Sequence, residues 1–202
     1  MRRGVDIRDY GSGNVGASNV WQSVSKTLVV PVGVAQIAQG LAGVMVARAL
    51  DHGAGVQVAA GLAAVVAHNW NPWLGFKGGR GVGLALGIML VFSLPVLAAF
   101  TLIAVAGVPL RRIPEMMLAA IVAMSMTALA AGERAELVAG FAALAALLIA
   151  KRVAANGVPE AQYERPGVWL TRLVYDRDIR DRQAWVHRNL PPRDDPASHT
   201  SA

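Results

Sequence analysis

The chain has 202 residues, room for one domain of ordinary size, and 54% of them are apolar before its 21 glycines are counted. Soluble domains reach only roughly 45–50% with glycine included, which argues against a water-soluble protein. Charged residues make up 16%, and they thin out between Thr27 and Ala150, so the middle of the chain belongs in lipid. The absence of cysteine rules out disulfides, thiolate zinc sites and cysteine nucleophiles. The net charge of +6 needs no nucleic acid to explain it if the positive residues of a membrane protein collect on one side.

Residues 1–26 are polar and glycine-rich. Their basic start, Arg2 and Arg3, leads into DIRDYGSGN rather than an apolar stretch, so it is not a signal peptide, and 1–26 reads as a loop. Thr27–Leu50 is the first spanning candidate, long enough at about 1.5 Å per residue to cross a hydrocarbon core of about 30 Å. Asp51–Ala54 turns the chain, Gly55–Asn69 forms a shorter apolar helix, and the polar, glycine-dense loop WNPWLGFKGGRG follows. Ser93 and Pro95 interrupt the apolar run Val82–Val108, which predicts a half-helix, Gly81–Phe92, and a second helix from Leu94 onward. Pro114–Ala131 and Arg134–Arg152 read as an antiparallel pair around the turn at 132–134. The GxxxG spacing of GLALG at 83–87 suits close helix packing in lipid.

The expected architecture is all-α: a polytopic helical membrane protein with about five full or partial spans, a half-helix and a polar C-terminal extension. It divides into the motif loop 1–26, a transmembrane domain 27–152 that contains a second motif loop at 68–81, and a tail, 153–202. Assigning successive turns to alternate sides leaves only Arg48 and Arg134, of the 19 Lys and Arg, on the side opposite the motif loops. That asymmetry predicts that the loops and the tail are cytoplasmic. Val168–Leu190 intersperses apolar and charged residues and reads either as an amphipathic helix on the membrane or as a solvated extension; PPRDDPASHTSA at the end is expected to be disordered.

Two constellations could carry chemistry. GSGNVGASN contains a literal GxGxxG at Gly11, Gly13 and Gly16, but no apolar strand precedes it and no βαβ unit follows, which disfavours a dinucleotide site. Ser12, Asn14, Ser18 and Asn19 instead set hydroxyl and amide groups among glycines, an arrangement suited to phosphate oxygens; a flexible pre-membrane loop is the plain alternative. The second constellation is His68 followed by FKGGRG, which lacks the GxxxxGK[ST] order of a nucleotide-binding P-loop. If Gly81 opens a helix, free N–H groups and the positive dipole end face this loop, and Lys77 and Arg80 add two cations. Taken singly, these are ordinary interfacial residues. Their coincidence on one side of the membrane points to an anion-handling site.

DIRDYGSGNVGASN and HNWNPWLGFKGGRGVG resemble the first two signature motifs of the bacterial acyl-phosphate:glycerol-3-phosphate acyltransferases, the PlsY family, and the resemblance runs in order and hydropathy from about Val5 to Arg152. It implies an inner-membrane enzyme that transfers a fatty acyl group from acyl phosphate to the 1-hydroxyl of glycerol 3-phosphate, yielding lysophosphatidate for phospholipid synthesis. No cofactor or metal is implied; the partners are the two phosphate-bearing substrates and the bilayer, with no nucleic acid and no reading of oligomeric state. Carried onto this chain, the resemblance makes His68, Ser12 and Lys77 catalytic. His68 orients or deprotonates the attacking hydroxyl, unless the donor phosphate takes that proton. Gly11, Gly13, Asn14, Gly16, Ser18 and Asn19 would surround one phosphate, and Gly78, Gly79, Arg80 and Gly81 the other.

The departures are specific. One more membrane helix is expected ahead of the first motif, and Met1 stands almost on that motif, which suggests a start codon placed too far downstream or a truncated chain. Gln22 stands where the family carries arginine, and Gln36 and Gln39 where it carries an acid and a lysine. Gly83 and Leu84 replace an Ala-Thr pair. Of the third motif, RVAANG keeps only Asn156, assigned to substrate binding, with Glu160 a weaker candidate. These replacements motivate a second reading, a catalytically impaired relative that binds lipid precursors or joins a membrane complex.

Overall fold

The computed structural model describes residues 7–9, 13–156, 166–181 and 184. Gly11, Ser12 and Glu160, and the chain end beyond 184, lie outside the described residues. The described chain is helical: α1 (Ala17–Ser23), α2 (Val29–Ala49), α3 (Ala54–Asn69), α4 (Val82–Phe92), α5 (Leu94–Ala106), α6 (Ile113–Ala130), α7 (Ala135–Ala154) and α8 (Val168–Tyr175), with 3₁₀ turns at Ile7–Asp9 and Pro72–Leu74. Helices α2, α6 and α7 are long and apolar enough to cross a membrane, while α4 and α5 are shorter apolar helices. Val34, Val46, Leu102, Val122 and Met126 all point outward, as expected where lipid rather than water surrounds the bundle.

The predicted break between α4 and α5 falls at Ser93, whose backbone is extended (φ −158°, ψ 105°). Its N–H closes α4 on the Met89 carbonyl at 2.8 Å, and its hydroxyl accepts from Val96 N at 3.5 Å. Pro95 lies in the first turn of α5, where a missing N–H costs nothing. Ser93 is buried, so without this cap the amino end of α5 would lose its side-chain partner.

Helix α4 is held against α2 by an exchange of glycines. A Cβ on Gly40 would be driven into the Leu84 carbonyl oxygen, and one on Gly87 into the Ile37 carbonyl oxygen. The GLALG spacing therefore marks a real interface, in which two backbones approach closely enough for dispersion contacts to replace the hydrophobic effect that lipid cannot supply. Around this seam Val44, Val65, Leu84, Ile88, Met89, Phe100, Met124, Phe141 and Leu148 form a continuous core.

Two segments differ from the expectation. Residues 17–23, inside the stretch read as a loop, form α1: Gly16 is extended and its carbonyl accepts from Asn19 N (3.0 Å) and Val20 N (3.1 Å). Seven residues are too few for a 3.6-residue apolar period to show, and buried Val20 supplies the anchor. In the tail, α8 ends at Tyr175 and bends follow at 176–180, and α8 packs back against α6 and α7.

The glycine seam predicts that Gly40→Ala and Gly87→Ala each destabilise the detergent-solubilised protein by about 1–3 kcal/mol, the usual cost of overpacking. Gly33→Ala, on the same helix as Gly40 but with open space at its Cβ, should leave the midpoint of thermal unfolding unchanged or slightly raised.

Candidate active site

The second motif loop is wrapped onto the carboxyl end of α3. Gly75 and Phe76 both have positive φ (60° and 62°), Phe76 N donates to Asn71 O at 2.8 Å, and Gly79 N donates to His68 O at 3.3 Å. Gly78 lies so close to the His68 and Asn69 carbonyls that no side chain fits. The imidazole of His68 fills the space a Cβ on Gly79 would need, with Nε2 the nearest atom. Gly81, at φ 76°, caps α4 in the left-handed conformation. The glycines thus let the loop fold flat on α3, place His68 against it, and aim the free N–H groups of α4 at the same region.

Asn156, just past α7, joins this loop to the first motif. Its amide nitrogen donates to Gly13 O at 3.0 Å, Asn14 Oδ1 at 2.7 Å and Gly78 O at 2.8 Å. Two protons serve three acceptors, so one is shared. Asn14, Asn19 and Asn156 are all buried. Asn19 braces the first loop from within, donating to Ile7 O (3.1 Å) and Asn14 O (2.9 Å). Gly13 adopts φ 64° beside the Arg8 carbonyl, a conformation that glycine adopts without strain. Gly16 ends the loop as the N-cap of α1. Ser18 is exposed and accepts from Gln22 Nε2 on both its carbonyl (3.2 Å) and hydroxyl (3.1 Å) oxygens.

The two cations of the second motif have different surroundings. Lys77 is exposed. Arg80 is mostly buried: its Nη1 donates to Arg152 O at 3.0 Å and Lys151 O at 3.4 Å, capping α7, and lies 2.7 Å from Asp176 Oδ1. Arg152 extends the same cluster, donating to Pro114 O (2.8 Å), Val174 O (2.9 Å) and Arg172 O (3.3 Å). Arg172 in turn pairs with Asp178. The tail is therefore bolted to the site end of the bundle by charge-assisted bonds, with Trp169 and Leu170 facing outward.

The structure thus brings Gly13, Asn14, Asn19, His68, Gly78, Gly79, Arg80, Gly81 and Asn156 to one end of the bundle. Among the described hydrogen bonds Ser18 is not part of that cluster: it is exposed and accepts from Gln22. Asn69, inside the second motif, and Lys151 and Arg152, at the end of α7, are also buried there although the sequence alone assigns them no role. In the sequence, the Lys-Arg pair is indistinguishable from ordinary positive residues ending a span.

Gly79→Ala should push the His68 imidazole aside while sparing the backbone, lowering turnover with little change in thermal stability. Gly78→Ala meets backbone instead and should lower both. Parallel melting curves and activity assays on the two variants separate the effects.

Residues 1–157 match the family described as glycerol-3-phosphate acyltransferase. A relative from Dehalococcoides mccartyi, glycerol-3-phosphate acyltransferase 5, is 32% identical over 205 aligned residues, covering 96% of this chain and 86% of the relative. The fold is similar to the crystal structure of PlsY, an integral membrane glycerol 3-phosphate acyltransferase, in its glycerol 3-phosphate form: TM-score 0.68, 28% identity, covering 75% of this chain and 76% of that one. The lysophosphatidic acid form of PlsY gives a TM-score of 0.63 at 27% identity, covering 70% and 73%. Motif order, helical architecture and these similarities together make the chain a member of the PlsY family of integral membrane glycerol-3-phosphate acyltransferases.

Proposed function

We propose that this protein transfers a fatty acyl group from acyl phosphate to the 1-hydroxyl of glycerol 3-phosphate, at the cytoplasmic face of the bacterial inner membrane. Acyl transfer to glycerol 3-phosphate in phospholipid synthesis is the activity of its family; acyl phosphate as donor and the cytoplasmic placement of the loops are our own reading. The observation that carries it is the Asn156 amide, which holds both anion-handling loops within one hydrogen-bonded cluster beside His68. Both substrates carry a phosphate, and two adjacent glycine loops meet that demand. The lipid-facing helices lead an acyl chain to the same end of the bundle.

In the proposed reaction the glycerol hydroxyl oxygen attacks the acyl carbonyl carbon. Its proton passes to His68 or to a phosphate oxygen of the donor, a carbon–oxygen ester bond forms, and the bond from the acyl carbon to the phosphate oxygen breaks, releasing inorganic phosphate. Phosphate is a good leaving group, so positioning and charge neutralisation supply most of the rate enhancement. In this reading Ser12, Asn14, Asn19 and the Gly11–Gly16 backbone attend one phosphate, while Lys77, Arg80 and the Gly78–Gly81 N–H groups attend the other.

Membranes containing the protein should convert labelled glycerol 3-phosphate to lysophosphatidate when given acyl phosphate. His68→Ala should lower kcat by about 100-fold or more, the scale of general acid–base catalysis, and Lys77→Ala should raise KM for a phosphate-bearing substrate. Activity that survives both substitutions would contradict these roles.

A further inference from the structure

Two polar side chains at the site end of the bundle are fully buried with no hydrogen-bond partner. Asn69, the last residue of α3, has neither its amide oxygen nor its nitrogen engaged, and the Lys151 ammonium meets no acceptor. Burying an amide without hydrogen-bond partners is costly, and an ammonium without an acceptor costs more. Such groups survive where something else satisfies them.

Both border the amino end of α4. The Asn69 amide stands against Gly81, its oxygen 2.8 Å and its nitrogen 3.1 Å from where a Cβ would project, and Leu148, one turn before Lys151, touches the same point. Lys151 Nζ lies over the ring of Trp70, 5.2 Å from its centroid, and its carbonyl accepts from Arg80, the residue before Gly81. The free N–H groups of α4 therefore face an unengaged amide, and the Lys151 ammonium, held only over the Trp70 ring, lies at the border of that region. Arg80, by contrast, already faces the Asp176 carboxylate and the α7 carbonyls.

We propose that Asn69 and Lys151 extend the phosphate-binding site at the amino end of α4, with Lys151 adding a second cation beside Arg80, whose Nη1 also fixes α7 and the tail. The ammonium reaches the anion by swinging off the Trp70 ring on its flexible four-carbon stem. The ligand class is a phosphate monoester or acyl phosphate; the assignment of either substrate to this subsite rests on the acyl-transfer reading above, whereas anion binding itself does not.

The test uses the full chain in detergent and inorganic phosphate as the probe, with binding followed by calorimetry and by the rise in melting temperature, and no donor present. Lys151→Met keeps the stem over Trp70 and removes the charge; Asn69→Leu removes the amide. The subsite predicts that phosphate binds the wild type, that each variant binds it about tenfold or more weakly, and that Lys151→Met melts no lower than wild type without ligand, because a buried unpaired charge has gone. Unchanged phosphate affinity in both variants, no binding to the wild type, or a Lys151→Met protein that fails to fold would each overturn it. Acyl transfer is assayed separately: a wild type that binds phosphate through Lys151 but transfers no acyl group defeats the reaction and leaves the subsite standing. An active enzyme whose phosphate affinity ignores Lys151 does the reverse.

Discussion

The site depends on a single side-chain amide reaching three acceptors from two distant stretches of chain. Asn156 stands at the end of α7, yet its nitrogen donates to Gly13 and Asn14 near the start of the sequence and to Gly78 in the middle. A hydrogen bond between neutral groups contributes only about 1 kcal/mol net, but leaving buried acceptors unmet costs more. Because all three acceptors converge on one donor group, neither glycine loop can move away from Asn156 without stranding its own buried acceptors. The bundle beneath supplies the rigidity this arrangement needs: the α2–α4 glycine seam holds the amino end of α4 in place, and α3 and α7 flank it.

Charge is organised around that junction in two layers. Lys77 is exposed on the surface of the second loop. Arg80, Arg152 and Arg172 face inward and are used on carbonyls at helix ends and on Asp176 and Asp178. Cations at the carboxyl ends of α7 and α8 oppose the negative ends of those helix dipoles, so these arginines stabilise the platform on which the loops sit. The tail thereby becomes part of the site's foundation, with Trp169 and Leu170 facing outward from it.

Much of this was legible in the sequence, for local reasons. Hydropathy located α2, α6 and α7, the Ser93–Pro95 interruption located the half-helix, and GLALG marked α4 for close helix packing without naming its partner, because each signal resides in a few consecutive residues. Both motif loops stood out as candidate site loops from glycines beside amides and cations, and the structure places them side by side. What escaped was long-range. No pattern within RVAANG says that Asn156 will meet Gly78, nothing near Arg80 announces Asp176, and Lys151 looks like any basic residue ending a span. The seven residues of α1 were hidden among polar neighbours, and the docking of α8 depends on Arg152, which belongs to another helix.

The central claim is that Asn156 couples the two loops into one site, and a double-mutant cycle tests it most directly. Asn14→Ala, Asn156→Ala and the double variant are compared by kcat/KM for acyl transfer to glycerol 3-phosphate. The bridging geometry predicts that the double variant is little worse than the poorer single one, with a coupling of about 1–3 kcal/mol, as for residues sharing one hydrogen-bond network. Losses that simply add would show that the loops act independently and would contradict the account.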